Sequence, residues 1–262
     1  MASESNQQGA KITVHWLNKS RGQRVIWLLE ELNLNYDIKT YARDKNKRAP
    51  VALKEVHPLG KSPTISIEVA GCERPLVLAE SGAIVEYLCE HFGQRLVPRR
   101  YPEGKEGGVG QETEEWINYR YFMHYAEGSM FPVLFTGLLT GSIRSAPVPF
   151  FIKPITNKIA GNIEGAYTNP ELKVQYTFME DFLTKSQEKG EFFLGSDLSA
   201  VDFMMFFVLE GGVQHGSLTE ESYPKLYNYV RRMQDRKAYQ RAGDRVTKAS
   251  GEKFVPFSEA RM

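Results

Sequence analysis

The chain has 262 residues, enough for one large domain or two modest ones, each with a real core. With 42% hydrophobic residues, 25% charged residues and a net charge of +1, it has no basic or acidic excess that would select nucleic acid or a charged surface as a partner. Two cysteines without a CxxC spacing, Cys72 and Cys89, argue against a disulfide scaffold, a zinc site or a redox pair, and fit a reducing, cytoplasmic compartment. Residues 1–10 are polar, lack the apolar stretch of a secretory signal and read as a disordered arm. The apolar run Phe203–Leu209 falls far short of the roughly 20 residues that cross a bilayer.

Ile12–Leu17 is β-branched and aromatic, ends at the polar break Asn18–Gly22, and reads as a strand. Val25, Leu28, Leu29 and Leu32 then fall on one face of a helix, and Tyr36–Tyr41 alternates as a second strand. Together they make a βαβ unit, parallel and right-handed. A charged stretch, Arg43–Lys54, leads to His57-Pro-Leu-Gly60. Two strand-like runs follow, Thr64–Val69 and Arg74–Leu78, close enough to form an antiparallel hairpin. A helix opens near Ser81, with Ile84, Tyr87, Leu88 and His91 on one side. The order β-α-β-(α)-β-β-α is that of a thioredoxin-like domain over residues 11–93.

Residues 94–111 are rich in glycine, proline and charge and read as a linker. Beyond them strand signals nearly vanish, and residues 112–262 read as an all-helical domain. Its expected helices cover Glu112–Ala126, the segment around Val174, Phe178 and Phe182, Ser199–Gln214, and Pro224–Asp235. Residues 128–165, with four prolines (Pro132, Pro147, Pro149 and Pro154), read as a broken helix, a proline-rich loop and another helix. The fold class is therefore α/β plus all-α.

The chemistry concentrates in His57-Pro-Leu-Gly-Lys-Ser-Pro63. A proline directly ahead of a strand suits a cis bond in a tight turn. In this architecture the preceding residue, Ser62, offers its backbone to an extended peptide as if adding a strand. Glu80 and Ser81 open the next helix. They read either as capping or as a ligand site, since a helix N-terminus suits a carboxylate and a neighbouring acid suits an ammonium. A ligand with a peptide backbone, an α-carboxylate and an α-ammonium is γ-glutamyl-cysteinyl-glycine, glutathione.

With these motifs the chain resembles the glutathione transferase superfamily over nearly its whole length. Lys61-Ser62-Pro63 and Glu80-Ser81 stand in the family's order and spacing. His15-Trp-Leu, Arg48-Ala-Pro, His57-Pro-Leu-Gly and Ala79-Glu-Ser-Gly look most like the fungal glutathione transferases, some associated with the endoplasmic reticulum membrane. The resemblance implies a homodimer with one glutathione site per subunit, glutathione as co-substrate and no metal. It also implies a small hydrophobic electrophile as partner, and peroxidase activity as a further capacity.

By the same carry-over, Glu80 and Ser81 hold the γ-glutamyl end, Ser62 and Pro63 the cysteinyl backbone, and Lys61 the glycyl carboxylate. Arg43, Arg48 and His57 are further candidates for the glycyl end. Aligning Arg24 with the arginine that follows serine-type active sites makes Ser20 the hydroxyl donor to sulfur. Asn18 is the rival, Arg21 a source of positive potential, and capping of the first helix the structural alternative for Ser20. The loop contains neither tyrosine nor cysteine. Ser199-x-x-Asp202 reads as a capping box with a structural role. Trp116, Tyr119, Tyr121, Phe122 and Tyr125 divide between core and electrophile site, while Phe131, Phe135, Phe150 and Phe151 suit that site or a membrane surface. The alternative function is a glutathione-binding module without catalysis.

Overall fold

The computed structural model describes residues 7–254. Four strands form one sheet of order β2-β1-β3-β4: β1 Lys11–Leu17, β2 Tyr36–Tyr41, β3 Thr64–Glu68 and β4 Leu76–Ala79. β1 runs parallel to β2 and antiparallel to β3, and β3 pairs antiparallel with β4. β1 is central and largely buried, which matches its β-branched and aromatic content. The thioredoxin-like reading of the first third is therefore what the chain forms.

Ten α-helices complete the described residues. Three accompany the sheet: α1 Gln23–Glu31, α2 Ala52–Val56 and α3 Ser81–Phe92. The helical domain holds α4 Glu114–Tyr125, α5 Phe131–Ser145, α6 Lys153–Ile163, α7 Asn169–Gln187, α8 Ala200–Gln214, α9 Pro224–Gln234 and α10 Lys237–Ser250. Single π-helical turns, Ala126–Met130 and Glu164–Thr168, carry α4 into α5 and α6 into α7. Residues 126–168 thus form a hairpin whose tip is the proline-rich segment 146–152.

α1 is the hinge of the architecture. Arg24 through Glu30 are all buried because the helix lies between the sheet and the helical domain. Trp27 packs against Phe203, Phe206 and Tyr239, with ring centroids 4.4, 5.2 and 5.7 Å away. α8 is buried from Ala200 to Gly212, as a helix apolar on every side must be. One continuous hydrophobic core runs through both domains. At the start of α8, Asp202 accepts from the backbone N–H of Ser199 and Phe193, from Ser199 Oγ and from the Tyr229 hydroxyl. Those four donors give the Ser199–Asp202 pair its structural role.

Several expectations shift. The arm expected over 1–10 does not extend to Gln7 and Ala10, which are buried; Gln7 bonds Ala10 and both backbone groups of Asn35, while residues 1–6 lie outside the described residues. Leu96, inside the expected linker, is buried in the main core. On α3 the buried face is Ile84, Val85, Leu88 and Cys89; Tyr87 is half-buried and His91 exposed, their rings tilted against each other with centroids 4.3 Å apart. On α7 the buried stripe is Leu172, Tyr176, Met179 and Leu183, leaving Val174 and Phe178 exposed. α10 lies beyond the helices the sequence suggested. Among the described residues no helix is long and apolar enough to cross a membrane.

Candidate active site

Three short segments lie at one end of the sheet. The first is the loop between β1 and α1. Asn18 N–H donates to Tyr41 O, while Arg43 donates from its backbone N–H to Asn18 Oδ1 at 3.1 Å and from its guanidinium to the carbonyls of Asn18, Lys19 and Lys47. Arg43 and the carbonyl side of Asn18 therefore brace the loop. The second segment is the turn ahead of β3. The Ser62–Pro63 bond is cis, and Gly60, at φ +56°, has Lys54 Cγ so near that an added Cβ would lie 2.7 Å away. The third is the β4–α3 junction. Thr64 pairs with Ala79, so Pro63 and Ser62 stand across from Glu80 and Ser81.

The first and second segments touch through side chains. Ser20 Oγ lies 3.1 Å from Ser62 Oγ and accepts the Gly22 N–H at 3.1 Å. Gly22 has helical φ, so its lack of a side chain serves space rather than backbone freedom: a Cβ there would sit 3.2 Å from both serine hydroxyls. Ser20 is not the cap of α1, since Gly22 is the N-cap and no side chain caps the helix; its hydroxyl instead closes a local turn onto Gly22 N–H and also faces the cis turn.

At the third segment Glu80 adopts φ +74°, a left-handed conformation uncommon for a side chain of its size. Its exposed carboxylate has no partner among the described residues. The amides of the first turn of α3 have no intrahelical acceptor, and the Ser81 hydroxyl is buried without a hydrogen-bond partner. Together these place unpaired backbone and hydroxyl donors, groups suited to a carboxylate, beside an acid. Lys61 is exposed, with its amine unpaired among the described residues, and stands next to the turn. Arg48 is exposed, and half-buried His57 accepts the Leu59 N–H at Nδ1.

Arg21 and Arg24 converge on one carboxylate that sequence reasoning missed. Glu127, in the π-helical turn between α4 and α5, pairs through one oxygen with Arg21 and through the other with Arg24 at 2.6 Å. Arg24 is completely buried, stacked over Phe207 at 4.5 Å, and two of its guanidinium nitrogens have no hydrogen-bond partner. Burial pushes its pKa down to about 10, with Glu127 opposing, so it stays charged at neutral pH. Burial would raise Glu127, but the two arginines outweigh it and hold the carboxyl below its ordinary value. Two guanidinium charges against one carboxylate leave a net positive charge beside Ser20. Arg21 also lies over the Phe131 ring at 4.8 Å, joining the loop to the helical hairpin. The available signal was a lone acid in the aromatic run Tyr119–Phe131.

Of the α4 aromatics, Tyr119, Phe122 and Tyr125 are core, Trp116 packs under Arg100, and Tyr121 is exposed. Phe131 is half-buried, whereas Phe135, Phe150 and Phe151 are exposed. Buried Cys89 has its thiol pushed up to about 12 by burial, and Cys72 is exposed in the β3–β4 turn. Among the described residues no group of three or more His, Cys, Asp or Glu side chains could hold a metal ion.

A thioredoxin-like domain with a cis-proline turn beside a helix N-terminus, backed by an all-helical domain, defines a two-domain architecture. Residues 20–91 match the model of the glutathione S-transferase N-terminal domain, and residues 150–240 match that of its C-terminal domain. The chain is 31% identical over 243 residues to glutathione S-transferase 1 of Saccharomyces cerevisiae, covering 93% of this chain and 98% of the relative. A solved glutathione S-transferase from Actinobacillus pleuropneumoniae is 26% identical, with a TM-score of 0.59 over 89% of this chain and 91% of that one. A glutathione transferase homolog from Lodderomyces elongisporus, solved with two glutathione molecules per subunit, shares the fold at 19% identity, with a TM-score of 0.63 over 88% and 97% of the two chains. The chain belongs to the glutathione S-transferase family.

Proposed function

We propose that the chain binds glutathione along the cis turn and the start of α3, forms its thiolate at Ser20, and adds it to small hydrophobic electrophiles. The reading is carried above all by the Ser20–Ser62 contact of 3.1 Å at the cis Ser62–Pro63 bond. Glutathione bound in the Lodderomyces elongisporus homolog adds support. Glu80 pairs with the γ-glutamyl ammonium, while the Ser81 hydroxyl and the free amides of α3 take its carboxylate. Ser62, presented by Pro63, pairs its backbone with the cysteinyl residue, and Lys61 meets the glycyl carboxylate as a point charge.

A free thiol with a pKa of about 8.5 is mostly protonated at neutral pH. Here it releases its proton to solvent, and the thiolate is held by the Ser20 hydroxyl and the net positive charge of the Arg21–Arg24–Glu127 group. The thiolate forms a carbon–sulfur bond. An aromatic halide then loses halide with its bonding pair, whereas an enone carbanion takes a proton from water. With a hydroperoxide, two glutathione thiols give up two electrons to become the disulfide, and the peroxide becomes alcohol and water. Ser20 ranks ahead of Asn18 as donor because its hydroxyl contacts Ser62 in the cis turn, whereas Asn18, whose side-chain oxygen accepts the Arg43 N–H, keeps its amide N–H groups as the rival donor. The proposed working form is a homodimer with one site per subunit.

Conjugation of an activated aromatic halide tests the reading: Ser20→Ala should lose about 10²-fold or more in kcat/KM while glutathione KM changes little. Wild-type protein without turnover, or a Ser20→Ala variant with full turnover, contradicts it. A second reading draws on the Gly22 N–H to Ser20 bond. If that local turn is the whole role of Ser20, the chain is a glutathione-binding module without catalysis, and glutathione binds while turnover is absent.

A further inference from the structure

A serine hydroxyl has one proton and two lone pairs. Ser20 Oγ accepts the Gly22 N–H and faces Ser62 Oγ, each at 3.1 Å, and Ser62 Oγ also reaches the His15 carbonyl at 3.4 Å. Two proton arrangements satisfy these contacts. In the first, Ser62 donates to His15 O and Ser20 donates to Ser62, so the Ser20 proton is used inside the protein. In the second, Ser62 donates to Ser20. Both Ser20 lone pairs are then filled, and its proton is left free for an occupant outside the loop. The space holding the pair is tight, because a side chain at Gly22 would press on both hydroxyls.

We infer that the Ser62 side chain is a positioning residue: it donates to Ser20 and thereby turns the Ser20 proton toward the glutathione sulfur. The inference rests on the reading of Ser20 as the donor to the thiolate. An anionic sulfur selects the second arrangement, because a chain of two hydroxyls polarises toward the charge and strengthens each bond. Ser62 is 9% exposed, so its hydroxyl is largely withheld from water and directed to these two acceptors. Ser62 then has two separable functions: its backbone holds the peptide and its hydroxyl sets the direction of a proton it never passes to the ligand.

The test is the pH titration of thiolate absorbance for glutathione bound to the full chain, beside glutathione affinity and thermal melting. Ser62→Ala should bind glutathione within about threefold of wild type, yet lose about threefold to tenfold of the thiolate at neutral pH. Ser62→Thr, which keeps the hydroxyl, should restore it. Ser20→Ala/Ser62→Ala should titrate like Ser20→Ala alone. Gly22→Ala, which displaces the pair without removing either hydroxyl, should resemble Ser62→Ala and covers the case in which Ser62→Ala does not fold. An unchanged titration in Ser62→Ala, with a shifted one in Ser20→Ala, overturns the inference and leaves the proposed function standing. So does a folded, glutathione-binding Ser62→Thr that behaves as Ser62→Ala, or a further loss when Ser62→Ala is added to Ser20→Ala. An unchanged titration in Ser20→Ala overturns the reading beneath and the inference with it.

Discussion

The two ends of α1 both join the domains by ion pairs, with the charges reversed and the burial unequal. At the N-terminal end two arginines of the thioredoxin-like domain share one carboxylate of the helical domain, and Arg24 is wholly buried. At the C-terminal end Glu31 pairs with Arg236, and Glu30 pairs with Arg241 and Arg245 of α10, whose side chains are 48% and 43% exposed. At the C-terminal end the carboxylates are buried but the arginines reach water, and Glu30 has two of them, so either can be lost without leaving that acid unpaired. The buried end cannot lose its carboxylate without stranding a cation in the core. That end also carries Ser20, so the same helix is structural at one terminus and couples structure to the site at the other.

The sharpest way to break this contrast is Glu127→Gln. It should cost about 3 kcal/mol or more of stability in denaturant unfolding, because Arg24 keeps its charge and loses its partner. The pH dependence follows in size. Glu127 lies below its ordinary value of 4.5 in the folded chain, so its contribution is present above that value and is lost as pH falls through the lowered native one. The stability gap between wild type and Glu127→Gln should therefore narrow as unfolding is repeated from neutral pH down through the carboxylate range. A constant gap would mean that shape rather than charge joins the domains. Smallest is Arg241→Ala, expected to cost below about 1 kcal/mol in the same unfolding measurement, since solvent screens that pair. A cost equal to that of Glu127→Gln would erase the distinction between the ends.

The same contrast marks what the chain's order of residues discloses. Lys61-Ser62-Pro63 and Glu80-Ser81 are readable because each is local: a proline ahead of a strand, an acid and a serine ahead of a helix. Their juxtaposition follows from the hairpin between them. Glu127 was not readable, since its partners lie more than 100 residues away and nothing nearby marks it as paired. The Ser20–Ser62 contact likewise needs β1 beside β3. α10 lies outside the expected helices although Ala238, Tyr239, Ala242 and Val246 form an apolar stripe that packs in the core; the acid its Arg241 and Arg245 face, Glu30, is more than 200 residues away. The hairpin 126–168 is marked by its prolines, but its π-helical turns leave no such trace.

The most decisive measurement is a crystal structure of the full chain with glutathione. The γ-glutamyl group is expected at Glu80 and Ser81, the cysteinyl backbone along Ser62, and the sulfur within hydrogen-bonding distance of Ser20 Oγ. A sulfur held by Asn18 or facing away from the loop Asn18–Gly22 would contradict this arrangement.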